Sequence, residues 1–461
     1  MTGATYARRL GLFSGTLLVV GGIIGSGIFL NPAVVAQRVG TPALTMVAWA
    51  LGALVAILGA FIFAELGARA PAAGGGYAYL RDAFGPLPAF LYGWALLLAI
   101  ASGATAAVAV TFANYAAPLV GLAPGTERAL AVGAITLFSL VNVVGVAPGA
   151  WVQNVLTLLK LAAITGLVLV GLGAFGALDA TPAAAIAAGS AAAPAASALT
   201  VPDGALALAV AIGTALVPVL FAFGGWQQTN FVAEEMVDPR RDLPRALILG
   251  VSIVAVAYLL VNLAYLQALG IDGLAASTAP AAETMALHLG AAGRTAIAIG
   301  IACSTAGFLM VVILVTPRVY QAMARDGVFF AGLATLHPRT RTPVNAILLQ
   351  GAWAVALVLS GTYGELLDWV TFADWIFFGA TAATLVVYRR RAPAGEHYRA
   401  PLHPWSTGLF MLAALYVVLG AIVSNPVNAL RGSLVLLAGV PAYLWWRGRG
   451  GTPDTRPAAA P

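Results

Sequence analysis

The chain has 461 residues, of which 61% are hydrophobic and only 9% are charged. Water-soluble domains keep about a quarter of their residues charged, so this composition excludes a soluble enzyme or binding module and indicates lipid as the solvent. The formal net charge of +6 would fit a nucleic-acid partner, but the topology of the arginines explains it without one.

Twelve apolar stretches follow along the chain, and each is long enough to cross the hydrocarbon core of a bilayer. The first stretch follows Arg8 and Arg9 and so resembles a signal peptide. Its apolar run is too long for a signal peptide, and we therefore predict a retained membrane span. The predicted spans cover residues 12–36, 42–67, 87–116, 128–147, 151–173, 207–232, 246–269, 293–322, 343–361, 364–388, 406–424 and 430–446.

The arginines fix the expected orientation. With the amino terminus inside, 18 arginines lie in cytoplasmic segments and four, Arg38, Arg128, Arg294 and Arg431, lie outside. Because cytoplasmic loops carry the excess of basic residues, we predict a multi-pass protein of a bacterial cytoplasmic (inner) membrane with both termini cytoplasmic.

Two spans are interrupted by glycine. The first contains the glycine-rich run at 21–27, and the sixth contains Gly224 and Gly225. Five spans separate the two interruptions, so the two halves begin on opposite sides of the membrane, and paired broken helices in inverted halves indicate a transporter's binding site. We therefore predict an all-α membrane protein with a 5+5 inverted repeat and two extra carboxy-terminal helices.

The domain boundaries follow from this repeat. We predict a cytoplasmic amino terminus at 1–11, a first repeat at 12–173 and an extracytoplasmic loop at 174–205. The second repeat follows at 206–388, the last two spans at 389–447, and a disordered cytoplasmic tail at 448–461.

Broken backbone inside a bilayer is costly unless it lines a cavity or meets a ligand. The helix half that restarts after a break directs its positive end at the gap, which suits a carboxylate, and the half that stops leaves carbonyls, which suit an ammonium group. A zwitterionic amino acid supplies both charges. The alternative for either break alone is close helix packing, because small residues are common between membrane helices.

Four stretches resemble the amino acid–polyamine–organocation (APC) superfamily. GGIIGSGIFLNPA (21–33) is similar to its first-helix signature, AELGARAPAAGGGYAYLRDAFGPLPAFLYGW (64–94) to its second-helix region, and FAFGGWQQTNFVAEEMVDPRRDLPRA (221–246) to the sixth helix of its L-type and related bacterial branches. MARDGVFF (323–330) fits the connection between its eighth and ninth helices. The resemblance spans roughly residues 8 to 446.

The resemblance implies a LeuT-type fold, alternating access, and an amino acid held by the two unwound helices. Phe221 matches the aromatic residue that covers the substrate in relatives, and the alternative is a lipid-facing side chain. Carried over by position, the substrate-binding residues are Ile23, Ile24, Gly25, Ser26, Gly27, Phe221, Ala222, Gly224 and Gly225.

Lys160 is the only lysine and lies within the fifth span. An ionisable group at this depth indicates function by default; the alternative is a lysine that reaches the interface from a helix end. The resemblance implies that Lys160 replaces the sodium ion of sodium-coupled relatives, with Ile23, Ile24, Ser304 and Thr305 as its neighbours. We therefore expect sodium-independent transport.

Two carboxylates are candidate gate or coupling residues. Asp374 lies in the tenth span, and Glu65 ends the second span at the cytoplasmic face. The charged loop after the sixth span, 234–242, is either solvated or paired with Arg69 and Arg81. Pro244 after Asp242 predicts the start of the seventh helix, with Asp242 as its cap.

Several classes of function find no support. Cys303 is the only cysteine, so no intramolecular disulfide is possible, and a disulfide-linked partner subunit is not expected. We found no metal-ligand spacing, no phosphate-binding loop for ATP, no hydrolytic triad and no cofactor motif. The expected partners are an amino acid and the lipid bilayer, and the chain is expected to be monomeric.

The function we predict is therefore a sodium-independent exchanger or facilitator of small or neutral L-amino acids. The first alternative is a proton-coupled amino acid symporter with a broader or cationic range. The second is a channel or receptor-like membrane protein, against which the paired broken helices argue.

Overall fold

The computed structural model describes residues 5–173, 199, 202–360, 363–392, 397–424 and 426–449, without the side chains of 363–371, 424 and 449. Over these residues the chain is helical and forms no sheet; one isolated bridge joins Leu10 to Met236. Most of the predicted extracytoplasmic loop at 174–205 and of the predicted disordered tail at 448–461 lies outside the described residues. Residue 205 begins a helix and residues 448–449 end one, so the predicted loop and the predicted tail are each slightly too long.

Sixteen α-helices are found in the described part of the chain. A π-helical turn, Leu96–Ile100, joins α5 to α6, and a 3-10 segment, Trp226–Glu235, follows α9. The helices are α1 (Leu12–Ile23), α2 (Gly27–Val39), α3 (Pro42–Arg69), α4 (Gly76–Phe84), α5 (Pro86–Ala95), α6 (Ala101–Leu119), α7 (Glu127–Val144), α8 (Val146–Gly171), α9 (Ala205–Ala222), α10 (Pro239–Ala276), α11 (Pro280–Val315), α12 (Pro317–Arg325), α13 (Val344–Ser360), α14 (Tyr363–Arg391), α15 (Trp405–Ser424) and α16 (Pro426–Arg449).

Helical structure coincides with every predicted span. Among the described residues, nine helical stretches are long and apolar enough to cross a membrane, and the bent pair α1 and α2 brings the number to ten. α13 is shorter, and α14 does not meet the same criterion over its described residues. An all-helical membrane protein is confirmed, whereas the count of twelve spans stays a prediction.

Local sequence explains where individual helices begin. Thr41 caps α3 by accepting a hydrogen bond from the Leu44 amide, and Pro42 occupies the first turn. α10 begins at Pro239, and its cap is Asp238, whose carboxylate accepts from the Arg241 amide. The predicted cap at Asp242 is therefore wrong, because an equivalent acid–proline pair four residues earlier starts the helix first.

The two broken helices lie in the middle of the structure. α1 packs against α8 and α10, and α2 packs against α9. α3 and α10, which are the second and seventh spans and so occupy equivalent places in the predicted repeats, also pack against each other. This arrangement brings the two interruptions, more than 190 residues apart in sequence, into contact.

Candidate substrate site

The first break consists of three residues between α1 and α2, Ile24, Gly25 and Ser26. Ile24 takes an extended conformation with φ −75° and ψ 93°, and the axes of the two helices differ by 44°. The amino-terminal end of α2 therefore opens onto the gap, where its free amides and the helix dipole favour negative charge.

The second break follows α9 and turns at Gly225, whose φ of +104° is left-handed. The carbonyl oxygen of Gly22 lies where a Cβ atom at Gly225 would be, so both the backbone angle and the space require glycine there. This glycine is needed for the contact between the two broken helices, beyond any general preference for small residues in membrane packing.

A cavity of about 70 Å³ lies between the two breaks. Eight of the nine predicted substrate-binding residues line it; the exception is Ile24. Phe221 is half-buried at its wall and so does not have the alternative, lipid-facing position. The lining residues are Ile23, Gly25, Ser26, Gly27, Ile100, Ala101, Ala104, Val108, Leu220, Phe221, Ala222, Gly224, Gly225, Gln228, Phe308, Asp374, Trp375 and Phe378.

Lys160 lies just outside this cavity and is fully buried. Its ammonium nitrogen donates to the carbonyl oxygen of Ile24 at 2.7 Å and to that of Gly21 at 3.1 Å. The Ser304 hydroxyl donates to the carbonyls of Ile24 and Gly25, both at 3.2 Å. Lys160 and Ser304 thus bind the carbonyls at the end of α1. The Lys160 side chain does not extend to the membrane interface.

Thr305 does not join this group. Its hydroxyl donates within α11, to the carbonyls of Ile301 at 2.8 Å and Ala302 at 3.0 Å. The two adjacent hydroxyls therefore have different environments, since consecutive residues of a helix face different directions.

The fifth span, α8, carries a polar stripe that the sequence analysis did not single out. Gln153 donates to the carbonyl of Leu17 at 2.8 Å, and Thr157 donates to the Gln153 side chain at 2.7 Å. Together with Lys160 these residues occupy one face of the helix, at a spacing of four and three residues. That spacing was visible in the sequence and is the signal that would have revealed the stripe.

Tyr258 is a second group that sequence reasoning missed. Its buried hydroxyl lies 3.3 Å from the carbonyl oxygen of Ile23 and 3.2 Å from that of Ala222. One side chain of α10 therefore contacts the last turn of both broken helices. The only sequence signal is a polar hydroxyl inside an apolar span.

Asp374 lines the cavity from α14. Its Oδ1 atom is buried and has no hydrogen-bond partner among the described residues. Gln228, one turn after the second break, lines the same cavity and has a buried, unpartnered Oε1 atom. The predicted candidate Asp374 is thus at the site, and Gln228 is an addition to it.

Glu65 lies away from the cavity, at the end of α3. Its carboxylate accepts hydrogen bonds from Arg69 at 2.7 Å, from Arg389 at 2.9 Å and from the Ala400 amide at 2.7 Å. This buried cluster fastens the segment 397–404 to the second and tenth spans. Glu65 makes no contact with the cavity, and its role as a gate stays a prediction.

The charged loop after the sixth span, 234–242, does not pair with Arg69 and Arg81, which was one of the two predicted alternatives. Glu235 forms a fully buried ion pair with Arg318, with Oε1 and Nε 2.6 Å apart. Its backbone carbonyl also accepts from the amides of Arg9 and Leu10. Arg69 pairs with Glu65 and Arg81 with Asp82 and Asp326, so neither arginine pairs with this loop.

An all-helical membrane protein with two broken helices in contact around a cavity belongs to the class of membrane transporters. Comparison with known proteins agrees: the amino acid permease family model matches residues 10–441. The chain therefore belongs to the amino acid permease family, within the APC superfamily that its motifs resemble.

Relatives with assigned functions are similar over almost the whole chain. The Asc-type amino acid transporter 1 of Mus musculus is 32% identical over 455 residues, covering 96% of this chain and 82% of the relative. The b(0,+)-type amino acid transporter 1 of Homo sapiens is 32% identical over 429 residues, covering 91% and 83%. The human cystine/glutamate transporter is 30% identical over 442 residues, covering 95% and 84%. The chain is thus a transporter and not an enzyme.

Proposed function

We propose that the protein is a sodium-independent secondary transporter of small or neutral L-amino acids that works by alternating access as an exchanger or facilitator. The observation that carries this proposal is the pair of hydrogen bonds from Lys160 to the carbonyls of Gly21 and Ile24. The fixed ammonium group occupies the position in which a bound cation would support the first break.

The physical equivalence of lysine and sodium at this place supports sodium independence. Each carries a single positive charge, and each satisfies carbonyl oxygens that a broken helix leaves open. A covalently tethered cation does not dissociate, however, so its presence during the cycle does not depend on an ion gradient. The Ser304 hydroxyl completes the same group of donors from the eighth span.

The dimensions and chemistry of the cavity support small amino acids. A cavity of about 70 Å³ has room for roughly five to seven water-sized groups, which matches the non-hydrogen atoms of alanine or serine. The amino-terminal end of α2 suits the carboxylate, and the carbonyls where α1 and α9 stop suit the ammonium. Several relatives are named as amino acid transporters.

A reconstitution assay tests the proposal. Proteoliposomes containing the purified protein are loaded with one unlabelled amino acid, and uptake of labelled alanine, serine, leucine, lysine or glutamate is followed with sodium or with choline outside. We expect saturable uptake of alanine and serine that internal amino acid accelerates and that choline leaves unchanged. Uptake that disappears without sodium contradicts the proposal.

The unpartnered Asp374 favours one alternative, a proton-coupled symporter with a broader or cationic range. A buried carboxylate without a partner is a group that could take up and release a proton during transport. The two functions differ in energetics: a symporter accumulates substrate inside empty liposomes when the lumen is more alkaline than the bath, whereas an exchanger does not.

We also propose that both termini are cytoplasmic and that the protein is a monomer. The distribution of arginines supports the orientation. One mouse relative is named the large neutral amino acids transporter small subunit 2, so the state of association needs its own measurement. Light scattering of the purified protein, corrected for detergent, and labelling of single cysteines introduced near each terminus test these two points.

A further inference from the structure

Two residues that line the cavity each carry a buried acceptor atom without a hydrogen-bond partner. Asp374 Oδ1 and Gln228 Oε1 are both buried, and neither accepts a hydrogen bond from the described residues. Both side chains line the same cavity, one from α14 and the other from the 3-10 segment after the second break. A buried polar oxygen without a donor is energetically costly, and such atoms need an explanation such as a missing ligand.

Among the described residues that line the cavity, Asp374 is the only one with an ionisable side chain. Lys160, the cation at the first break, has its ammonium group bound to the carbonyls of Gly21 and Ile24. An uncompensated carboxylate inside the membrane is expensive, and a donor carried by the substrate would complete this group.

Asp374 lies on a different helix from the two breaks, whereas Gln228 follows the second break and its backbone amide donates to the carbonyl of Gly225 at 3.2 Å. The first break, with Gly25, Ser26 and Gly27, supplies the amides and carbonyls that suit the constant part of an amino acid. Asp374 comes from α14, which contributes Trp375 and Phe378 to another wall. When the carboxylate and the ammonium group of an amino acid bind at the breaks, its side chain therefore points to the wall that contains Asp374 and Gln228.

We propose that Asp374 and Gln228 form a side-chain subsite that accepts a hydrogen-bond donor on the β-carbon of the substrate. The transporter then prefers short amino acids with a hydroxyl or an ammonium group at that position: serine, threonine and 2,3-diaminopropionate. The inference rests on the proposed function and deepens it, because it names the side chain that the site selects. A substrate ammonium group can donate to both Oδ1 of Asp374 and Oε1 of Gln228, whereas a hydroxyl has a single hydrogen and donates it to Oδ1 of Asp374.

Isosteric ligands separate this proposal from simple selection by size. Serine and 2-aminobutyrate differ by a hydroxyl in place of a methyl group, so only the former has a donor to offer. A hydrogen bond to a charged group that is lost on substitution changes affinity by about tenfold or more. We expect serine and 2,3-diaminopropionate to bind at least about tenfold more tightly than 2-aminobutyrate. Alanine should bind about as tightly as 2-aminobutyrate.

The measurement is a thermal-unfolding titration of the purified protein with alanine, 2-aminobutyrate, serine and 2,3-diaminopropionate. Asp374→Asn and Gln228→Met are compared with Asp272→Asn, a control at an exposed position outside the cavity. We expect Asp374→Asn to lose about tenfold in affinity for serine, and both cavity variants to lose affinity for 2,3-diaminopropionate, with the larger loss in Asp374→Asn. Alanine binding changes by less than about threefold, which is below the effect of one such bond, and the control behaves as the wild type.

Each other outcome overturns the subsite. Equal affinity for serine and 2-aminobutyrate in the wild type removes its basis. An equal loss of alanine and serine binding in Asp374→Asn assigns the carboxylate to the constant part of the substrate. When the titrations are repeated at a lower and a higher pH, a loss of pH dependence in Asp374→Asn with its preference for serine unchanged assigns the carboxylate to proton binding. If no amino acid shifts the melting temperature of the wild type, the proposed function itself fails; retained alanine binding distinguishes the first three cases from this one.

Discussion

The ammonium nitrogen of Lys160 lies 2.7 Å from the carbonyl oxygen of Ile24, the residue at which the first helix stops. A carbonyl at a helix end has lost its intrahelical partner, and inside a membrane no water replaces that partner. The lysine of the fifth span therefore satisfies a backbone group of the first span at the edge of the cavity. Four of the predictions below concern this pair, its neighbours or the second break.

Replacement of Lys160 by alanine should lower amino acid exchange by at least about tenfold, because charge-assisted bonds to two carbonyls are lost together. Lys160→Met, which keeps the length and removes the charge, should show the same loss. The measurement is the initial rate of exchange in proteoliposomes at equal protein density. Full exchange in either variant would contradict the assigned role.

Ser304 and Thr305 should respond differently to loss of their hydroxyls. Ser304→Ala removes the donor to the carbonyls of Ile24 and Gly25, whereas Thr305→Val removes a bond within one helix. We expect about a three- to tenfold lower exchange rate in the first variant, equivalent to about 1 kcal/mol, and little change in the second. Equal losses of exchange rate in the two variants would contradict the different roles that we assign to the two hydroxyls.

Gly225→Ala should abolish transport and lower the melting temperature. A left-handed conformation costs a non-glycine residue about 1–3 kcal/mol, and the new Cβ atom would overlap with the carbonyl of Gly22. The matched control is Gly166→Ala in α8, where no atom lies within 4 Å of the added methyl group. The control should keep its exchange rate and melting temperature, and an active Gly225→Ala protein would disprove the required contact.

Gln153→Leu should destabilise the contact between α1 and α8, because the carbonyl of Leu17 loses its shorter side-chain donor and keeps only Thr157 at 3.4 Å. The loss of one such hydrogen bond costs about 0.5–1.5 kcal/mol, which is measured as a lower melting temperature. Leu158→Ala, at an exposed position of the same helix, serves as the control. Gly21→Ala should be at least as harmful as Gln153→Leu, since its methyl group would overlap with the Gln153 amide. Unchanged melting of the Gln153 variant would refute the role of the polar stripe.

The segment 397–404 predicts a dependence of stability on pH. Burial, assisted by Arg69, lowers the pKa of His397, and burial, assisted by Arg389, lowers the pKa of His403. A histidine with a lowered pKa in the folded state favours the neutral form, so its contribution is present above the unfolded value of about 6.5 and is lost as pH falls through the folded pKa.

The melting temperature should therefore decrease more steeply below about pH 6.5 in the wild type than in the double variant His397→Gln and His403→Gln. The comparison between the two proteins removes the contribution of other titrating groups. Parallel curves for the two proteins would show that these histidines do not control the acid sensitivity of the protein.

The sequence was sufficient to predict the elements whose signal is local. Length and hydropathy indicated the spans, and the glycines indicated both breaks, which is why eight of the nine substrate-binding candidates line one cavity. Ile24 is the exception, because its carbonyl faces α8 and α11 instead.

Contacts between distant spans were harder to predict, since no local pattern specifies which helix faces which. The proximity of Tyr258 to Ile23 and Ala222 joins residues from three spans, and the separation of Ser304 from Thr305 depends on how α11 is rotated about its axis. The cap of α10 was wrong because two acid–proline pairs compete within one loop, and only packing decides between them.

The hydroxyl of Tyr258 has a single hydrogen atom but two carbonyl oxygens within reach. A full hydrogen bond to the carbonyl of one broken helix leaves the carbonyl of the other without this donor. Tyr258 is therefore a donor that the two halves of the protein share, because Ile23 belongs to the first broken helix and Ala222 to the second.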